Sequence, residues 1–193
     1  MKLILPLLLS AATTLSLPAI AAPVTYDVDP SHTYPSFEAD HMGGLSTWRG
    51  KFNKTSGVIV LDRAARCGTI DITVQIDSID FGHDEMNKHA VAPDIFDAAK
   101  YPTATFKGRF TEFDGDRPKT AVGDFTLRGV THPLELEIEQ FKCINHPMEK
   151  REACGADVSA SFNRSDYGLN FALDMGFNPK VELEIQVEAL RRP

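Results

Sequence analysis

The sequence predicts an all-β domain whose short antiparallel strands form an up-and-down barrel. Three observations support this class. Apolar and polar residues alternate over many short stretches, no repeat or linker divides the 193-residue chain, and a single segment breaks the strand period. Alternation with a period of two gives each strand one dry and one wet face. Many such strands in one domain-sized chain are typical of a closed barrel.

Residues 1–21 are expected to be a cleaved secretory signal peptide and not part of the fold. Lys2 supplies a short positive start, a mostly apolar run follows, and Ala-Ile-Ala at 19–21 places small residues before a cleavage site after Ala21. The run is too short and too interrupted by Pro18 to span a membrane comfortably. We therefore expect a periplasmic protein with one domain, residues 22–193, and no membrane span.

The clearest strands are residues 69–77, 134–139 and 181–189. In the last of these, Val181, Leu183, Ile185 and Val187 alternate with glutamate and glutamine, so one face is acidic and wet. Further strands are predicted at 24–28, 34–40, 48–54, 57–61, 103–113, 120–127 and 157–163.

A short helical excursion is predicted at about 84–100, where the strand period stops. Pro93 precedes a second helical turn, and Tyr101-Pro102 ends the segment. An immunoglobulin-like sandwich is the alternative fold. It would require two cysteines far apart in sequence with a tryptophan between them.

The three cysteines favour a local bridge instead. Cys143 and Cys154 flank a polar, proline-containing stretch, and export would place them in an oxidising compartment. We predict that they form a disulfide across a hairpin. Cys67 is left over, either free or paired between molecules.

The composition argues against several functions. A net charge of −7 disfavours nucleic-acid binding, and no P-loop or dinucleotide fingerprint occurs. His83 and His89 are six residues apart, which suits a shared helix face poorly and gives little support for a metal site. We expect no catalytic residue, no metal and no cofactor.

The chain contains 12 phenylalanines, a large apolar aromatic content. Phe37, Phe52, Phe106 and Phe125 lie in strand-like stretches, while two more bracket the helical excursion. These two are Phe81 and Phe96. An eight-stranded barrel is either filled by its own side chains or holds one slender ligand. For any single phenylalanine, core packing is the simpler interpretation, and both remain open at this point.

The motifs of the chain, taken in order, resemble the YceI-like family of secreted lipid-binding proteins. The resemblance runs from about residue 26 to residue 189. It rests on YDVDPSH at 26–32, FEADHMG at 37–43, RGKF at 49–52, DIFD at 94–97, KYP at 100–102, TF at 105–106, GDFTLRGVTHP at 123–133 and RSDYGL at 164–169.

This resemblance implies a lipocalin-like, eight-stranded antiparallel barrel with a long apolar tunnel, often in a homodimer. The tunnel of such proteins holds a polyisoprenoid or similar long lipid, so the phenylalanines named above become candidate ligand contacts. The expected function is that of a periplasmic carrier for one long-chain isoprenoid lipid.

One departure from the family pattern bears on the lipid head group. The family often carries Arg-Asp-x-His-Leu before its helical segment, where this chain has Met-Asn-Lys-His-Ala at 86–90. Arginine is the natural partner of a diphosphate, so its loss favours a neutral head such as an isoprenoid quinone, for example ubiquinone. His32, His41 and His89 are candidate contacts for that head. Alternatively, His32 and His41 satisfy local backbone groups.

Two further functions stay open at the level of sequence. The protein could be an enzyme acting on a bound isoprenoid or quinone, with a pocket histidine as acid or base. It could also be an interaction module with a solid barrel, which a cavity inside the barrel would contradict.

Overall fold

A computed structural model describes residues 22–193, and these contain eleven β-strands and one α-helix. The predicted signal peptide, residues 1–21, lies outside the described residues. The elements are β1 Val24–Val28, β2 Tyr34–His41, β3 Ser46–Phe52, β4 Thr55–Asp62, β5 Cys67–Gln75, β6 Ile79–Asp80, α1 Asp84–Ala90, β7 Thr103–Asp114, β8 Arg117–Leu127, β9 Val130–Asn145, β10 Glu152–Asn163 and β11 Lys180–Arg191.

Eight of these strands close into an antiparallel barrel. The order around the wall is β1, β4, β5, β7, β8, β9, β10 and β11, and β11 returns to β1. The closing ladder is short, with the pairs Tyr26↔Arg191, Asp27↔Leu190 and Val28↔Ala189. This closed ring confirms the predicted eight-stranded barrel, and the sandwich alternative is wrong.

The remaining strands extend the wall at one end of the barrel. β1 and β2 lie one after the other along the same edge of β11, separated by a bend at residues 29–33. The buried Thr33 fixes this bend, because its hydroxyl donates to the carbonyl of Glu188 and accepts from the Glu188 amide, both at 3.1 Å. β2 then pairs with β3, and β3 pairs with β6. Strands β2, β3 and β6 therefore continue the sheet beyond the closed ring, beside the barrel opening.

The helical excursion is shorter than predicted. Helix α1 ends at Ala90, whereas the sequence suggested helical turns to about residue 100. Pro93 disfavours helical backbone at the residue before it, so the chain continues as tight turns. In these turns the Phe96 amide donates to the Ala90 carbonyl at 3.0 Å, and the Tyr101 amide donates to the Asp97 carbonyl at 2.8 Å. No helix within residues 22–193 is long and apolar enough to cross a membrane.

Two glycines allow strands β7 and β8 to approach each other closely. Gly108 in β7 lies directly opposite Gly123 in β8. A Cβ atom on Gly123 would collide with the Lys107 carbonyl oxygen and come within 2.5 Å of the Gly108 Cα. Glycine inside a strand is favoured where two backbones approach this closely.

The predicted disulfide is confirmed. Cys143 and Cys154 are directly paired across β9 and β10, with their Cα atoms 4.0 Å apart. Cys67 is exposed and, within residues 22–193, unpaired.

Candidate functional site

The barrel encloses a cavity of about 450 Å³ with a predominantly apolar lining. Strand β11 shows how the sequence builds it, because alternate residues from Val181 to Ala189 line the cavity and the glutamates between them face outward. These nine residues span eight steps, which correspond to about 26 Å along the strand, or roughly 20 Å along the axis of a barrel with ordinary strand tilt. The cavity is therefore a deep tunnel, and the solid-barrel alternative is contradicted.

Eight of the nine predicted ligand-contacting residues lie on the wall of this tunnel. The set includes all six of the predicted phenylalanines and two of the three histidines, while His32 is absent. The eight are Phe37, His41, Phe52, Phe81, His89, Phe96, Phe106 and Phe125.

The phenylalanines pack on one another and also face the tunnel. Phe37 contacts Phe52 and Phe81, with ring centroids 5.8 Å and 5.5 Å apart. Phe52 in turn meets Phe96 edge-to-face at 6.1 Å. The Phe37–Phe81 and Phe52–Phe96 contacts are edge-to-face, an arrangement that aromatic pairs prefer. The two interpretations of these residues, core packing and cavity lining, therefore apply to the same side chains.

Helix α1 contributes one side of the opening. Met86 and His89 are three residues apart on the helix, so they share the face that lines the cavity. The His83 ring nitrogen caps the helix by accepting from the Met86 amide at 3.2 Å. At the other end of α1, the His89 ring lies 3.1 Å from Asp94 and meets Phe171 edge-to-face at 5.1 Å.

His41 also lines the tunnel, at the end of β2. Its ring is within 5.1 Å of Trp48 and meets Phe177 edge-to-face at 5.4 Å, measured between centroids. Its Nδ1 atom is 3.4 Å from the Ser46 hydroxyl. His41 and His89 therefore sit among aromatic rings at the rim of the tunnel.

The structure does not bring His32 to the tunnel. Its side chain is 54% exposed at the bend between β1 and β2, and its Nδ1 is 2.8 Å from an Asp29 carboxylate oxygen. The hydrogen bond that the His32 ring donates to the Asp29 carboxylate raises the pKa of His32 above its usual value. His32 therefore has a local partner, which is a side-chain carboxylate and not the backbone group that the sequence suggested.

The far end of the tunnel is closed. Tyr26 and Leu61 are each only 2% exposed, and Pro118 is fully buried beside them in the lining. The Tyr26 hydroxyl donates to Glu152 at 2.5 Å. Burial and this hydrogen bond to a carboxylate raise the pKa of Tyr26 far above its usual value. Cys154, one half of the disulfide, also lines this end.

The rim at the open end is tied together by Asp40. Its carboxylate accepts from the amides of Gly43 at 3.0 Å, Gly44 at 2.5 Å and Asn178 at 2.8 Å. These bonds, of which that from Asn178 contributes most, lower the pKa of Asp40. They join the β2–β3 turn to the segment that leads into β11. Beyond the joint, the apolar side chains of Leu45 and Met175 are exposed to solvent.

Sequence reasoning missed Arg164, which lies on the tunnel wall near this rim. The signal was present, because Val158, Phe162 and Arg164 are separated by even numbers of residues along β10 and its continuation, as residues on one face of a strand are, and all three line the tunnel. The arginine Nη1 donates to the carbonyls of Leu169 and Phe171, both at 2.8 Å. Burial lowers the pKa of the guanidinium, which nevertheless stays charged near neutral pH.

Most side chains of the site are apolar or aromatic. Within residues 22–193, no group of three histidine, cysteine, aspartate or glutamate side chains could hold a metal ion. The site consists of a closed apolar tunnel, a polar rim and one arginine at their junction.

Comparison with known proteins gives a consistent result. The model of the YceI-like domain matches residues 26–189. Protein YceI of Escherichia coli is 30% identical over 176 residues, which cover 90% of each chain. Among solved structures, BcnA of Burkholderia cenocepacia has a TM-score of 0.67 at 21% identity, covering 83% of this chain and 98% of BcnA. A polyisoprenoid-binding domain from Saccharophagus degradans has a TM-score of 0.62 at 13% identity, covering 88% of this chain and 99% of that domain.

Proposed function

Because this chain belongs to the YceI-like domain family, we propose that it is a carrier that binds one long-chain isoprenoid lipid and performs no chemistry on it. The observation that carries the proposal is the tunnel itself, which is deep, apolar and closed at one end. A slender hydrocarbon chain matches this shape. A solved domain of the same fold is described as polyisoprenoid-binding.

The binding energy would come from removing the lipid chain from water. Each 100 Å² of apolar lipid surface that the tunnel buries contributes about 2.5 kcal/mol, before the cost of ordering the chain. The rings of Phe37, Phe52 and Phe96 are already held by one another, so little ordering of the wall is required when the lipid enters.

A neutral head group, such as that of an isoprenoid quinone, fits the rim best. Met86 stands where the family often has arginine, and its apolar side chain lines the cavity. Asn87 is occupied locally, accepting from the Phe81 amide at 2.7 Å and donating to Asp80 at 3.2 Å. Lys88 is exposed and outside the lining. No cationic cluster is therefore assembled at α1 for a diphosphate.

We place the carrier in the periplasm. The leader-like residues 1–21 and the Cys143–Cys154 disulfide both fit an exported protein. Amino-terminal sequencing of protein recovered from the periplasmic fraction should begin at Ala22. A chain that retains residues 1–21 would contradict this location. A homodimer remains a prediction.

The experiment that tests binding is native mass spectrometry of gently purified protein, followed by organic extraction. We expect one isoprenoid lipid per chain, recovered chemically unaltered. Leu136→Trp should abolish this mass increment, because Leu136 lines the tunnel and the larger ring would block it. The matched control is Glu137→Trp, the next residue of β9, whose side chain is exposed. Empty wild-type protein that also fails to bind added isoprenoids would refute the proposal.

A further inference from the structure

Arg164 combines a tunnel-lining position with hydrogen-bond donors that the protein does not use. Its Nη1 is bonded to the carbonyls of Leu169 and Phe171. Within residues 22–193, Nε and Nη2 have no hydrogen-bond acceptor. These atoms carry three N–H groups in a planar fork. A half-buried cation with unused donors in an apolar lining is a site for an acceptor.

The other charged residue of the lining is already satisfied. Among residues 22–193, the tunnel wall contains only Asp40 and Arg164 as charged groups, leaving histidine aside. Asp40 accepts three backbone N–H bonds. Its negative charge acts on Arg164, opposing the effect of burial on the Arg164 pKa. The pair therefore leaves the tunnel lining with little net charge but with free donors, which favours a neutral acceptor over a multiply charged phosphate.

The surroundings suit a flat ring. Arg164 donates a hydrogen bond to the Phe171 carbonyl, and the Phe171 residue is 41% exposed and also lines the tunnel. Its ring meets His89, while Phe177 meets His41. Aromatic side chains therefore contact both histidines at the rim, and a flat ring that stacks among them would lie near Arg164, which is bonded to the Phe171 carbonyl.

We propose that Arg164 binds the head group of the lipid, donating from Nε and Nη2 to a neutral oxygen acceptor such as a quinone carbonyl, while the isoprenoid chain fills the tunnel. This inference rests on the proposed function and adds the residue that selects the head. It predicts that the protein distinguishes a lipid with a ring carbonyl from an isoprenoid hydrocarbon that has no head group.

The test compares three probes on delipidated protein: a short-chain ubiquinone, squalene, which has no head group, and geranylgeranyl diphosphate. Arg164→Met should weaken quinone binding by about tenfold or more, the usual effect of losing a charge-assisted hydrogen bond. Squalene binding should change by no more than about twofold, because dispersion and burial are preserved. Arg164→Lys, which keeps the charge and loses the fork, should fall between these limits.

Arg128→Met is the matched control, since Arg128 also ties loop carbonyls but lies outside the lining. It donates to the Gly168 carbonyl at 2.6 Å and to the Pro93 carbonyl at 3.2 Å. We expect this variant to leave the quinone-to-squalene affinity ratio unchanged. Infrared spectra of bound quinone add a direct readout, because the carbonyl stretch should lie lower in wild-type protein than in Arg164→Met.

Several results would overturn the inference. Equal loss of quinone and squalene binding in Arg164→Met would assign the residue to loop tethering alone. Unchanged quinone binding would exclude the contact, and tighter binding of the diphosphate than of the quinone would exclude a neutral acceptor. Failure of the wild-type protein to bind any of the three probes would instead overturn the proposed function with it.

Discussion

Removal of the Cys143–Cys154 disulfide should lower the stability of the barrel by a predictable amount. The two cysteines are 11 positions apart in sequence. A cross-link that closes a loop of this size restricts the unfolded chain by about 3 kcal/mol in the chain-entropy account. For a domain of this size, each kcal/mol shifts the melting temperature by roughly 2–4 °C. The double variant Cys143→Ala/Cys154→Ala should therefore melt about 6–12 °C below the wild type.

The assay is thermal unfolding followed by circular dichroism, with and without reductant. Reductant should lower the melting temperature of the wild type and leave that of the double variant unchanged. Cys67→Ala is the control, because Cys67 is exposed and unpaired within the described residues and should melt within about 1 °C of the wild type. A double variant that melts within about 2 °C of the wild type would refute the reasoning. So would a Cys67→Ala variant that loses as much stability as the double variant.

Three further predictions concern the wall, the rim and the closed end. Gly123→Ala should destabilise the barrel by about 1–3 kcal/mol in urea unfolding, since its Cβ would collide with the backbone of β7; unchanged stability would contradict the close approach. Asp40→Ala should speed amide hydrogen exchange at residues 42–45 and 176–178 and accelerate lipid release, because the hydrogen bonds that join these segments are lost. The Asp40 pKa is lowered, so wild-type protein should show the same faster exchange only as the pH falls below about 4. Exchange rates in Asp40→Ala that match those of the wild type would show that Asp40 does not join the two segments. The Tyr26 pKa is raised, so the free energy of unfolding should fall as the pH rises above about 10. Tyr26→Phe should lose less stability over this alkaline range than the wild type. An identical loss of stability in both proteins would show that the phenol is not buried against Glu152.

Much of the fold and most of the site could be predicted because alternation in a strand fixes which side chains face inward. Val181 to Ala189 alternate without interruption, and the structure places the apolar set in the tunnel. The same rule places Phe106 and Phe125 there. The cysteine pair could be predicted because the two residues flank a single turn, so their proximity is a local property of the chain.

The features that could not be predicted from the sequence depend on contacts between distant segments. Strand β6 has only two residues, Ile79–Asp80, too few for a visible period, and it exists because β3 pairs with it. Periodicity also cannot tell whether facing rings such as Phe37 and Phe52 fill a barrel or leave a tunnel between them. Arg164 follows the inward pattern of β10, but it lies just beyond the predicted strand 157–163, so the alternation was not extended to it.

Because the first and last strands close the barrel, the tunnel forms late in folding. Asp27 and Arg192 are hydrogen-bonded across a separation of 165 residues, next to the ladder that completes the wall. Contacts of such high contact order form late and slowly in folding. A nascent chain that lacks β11 has no tunnel, because that strand pairs with β1, β2 and β10. Under the proposed function, the lipid would enter only after β11 has joined the wall, so an empty barrel would precede the filled one.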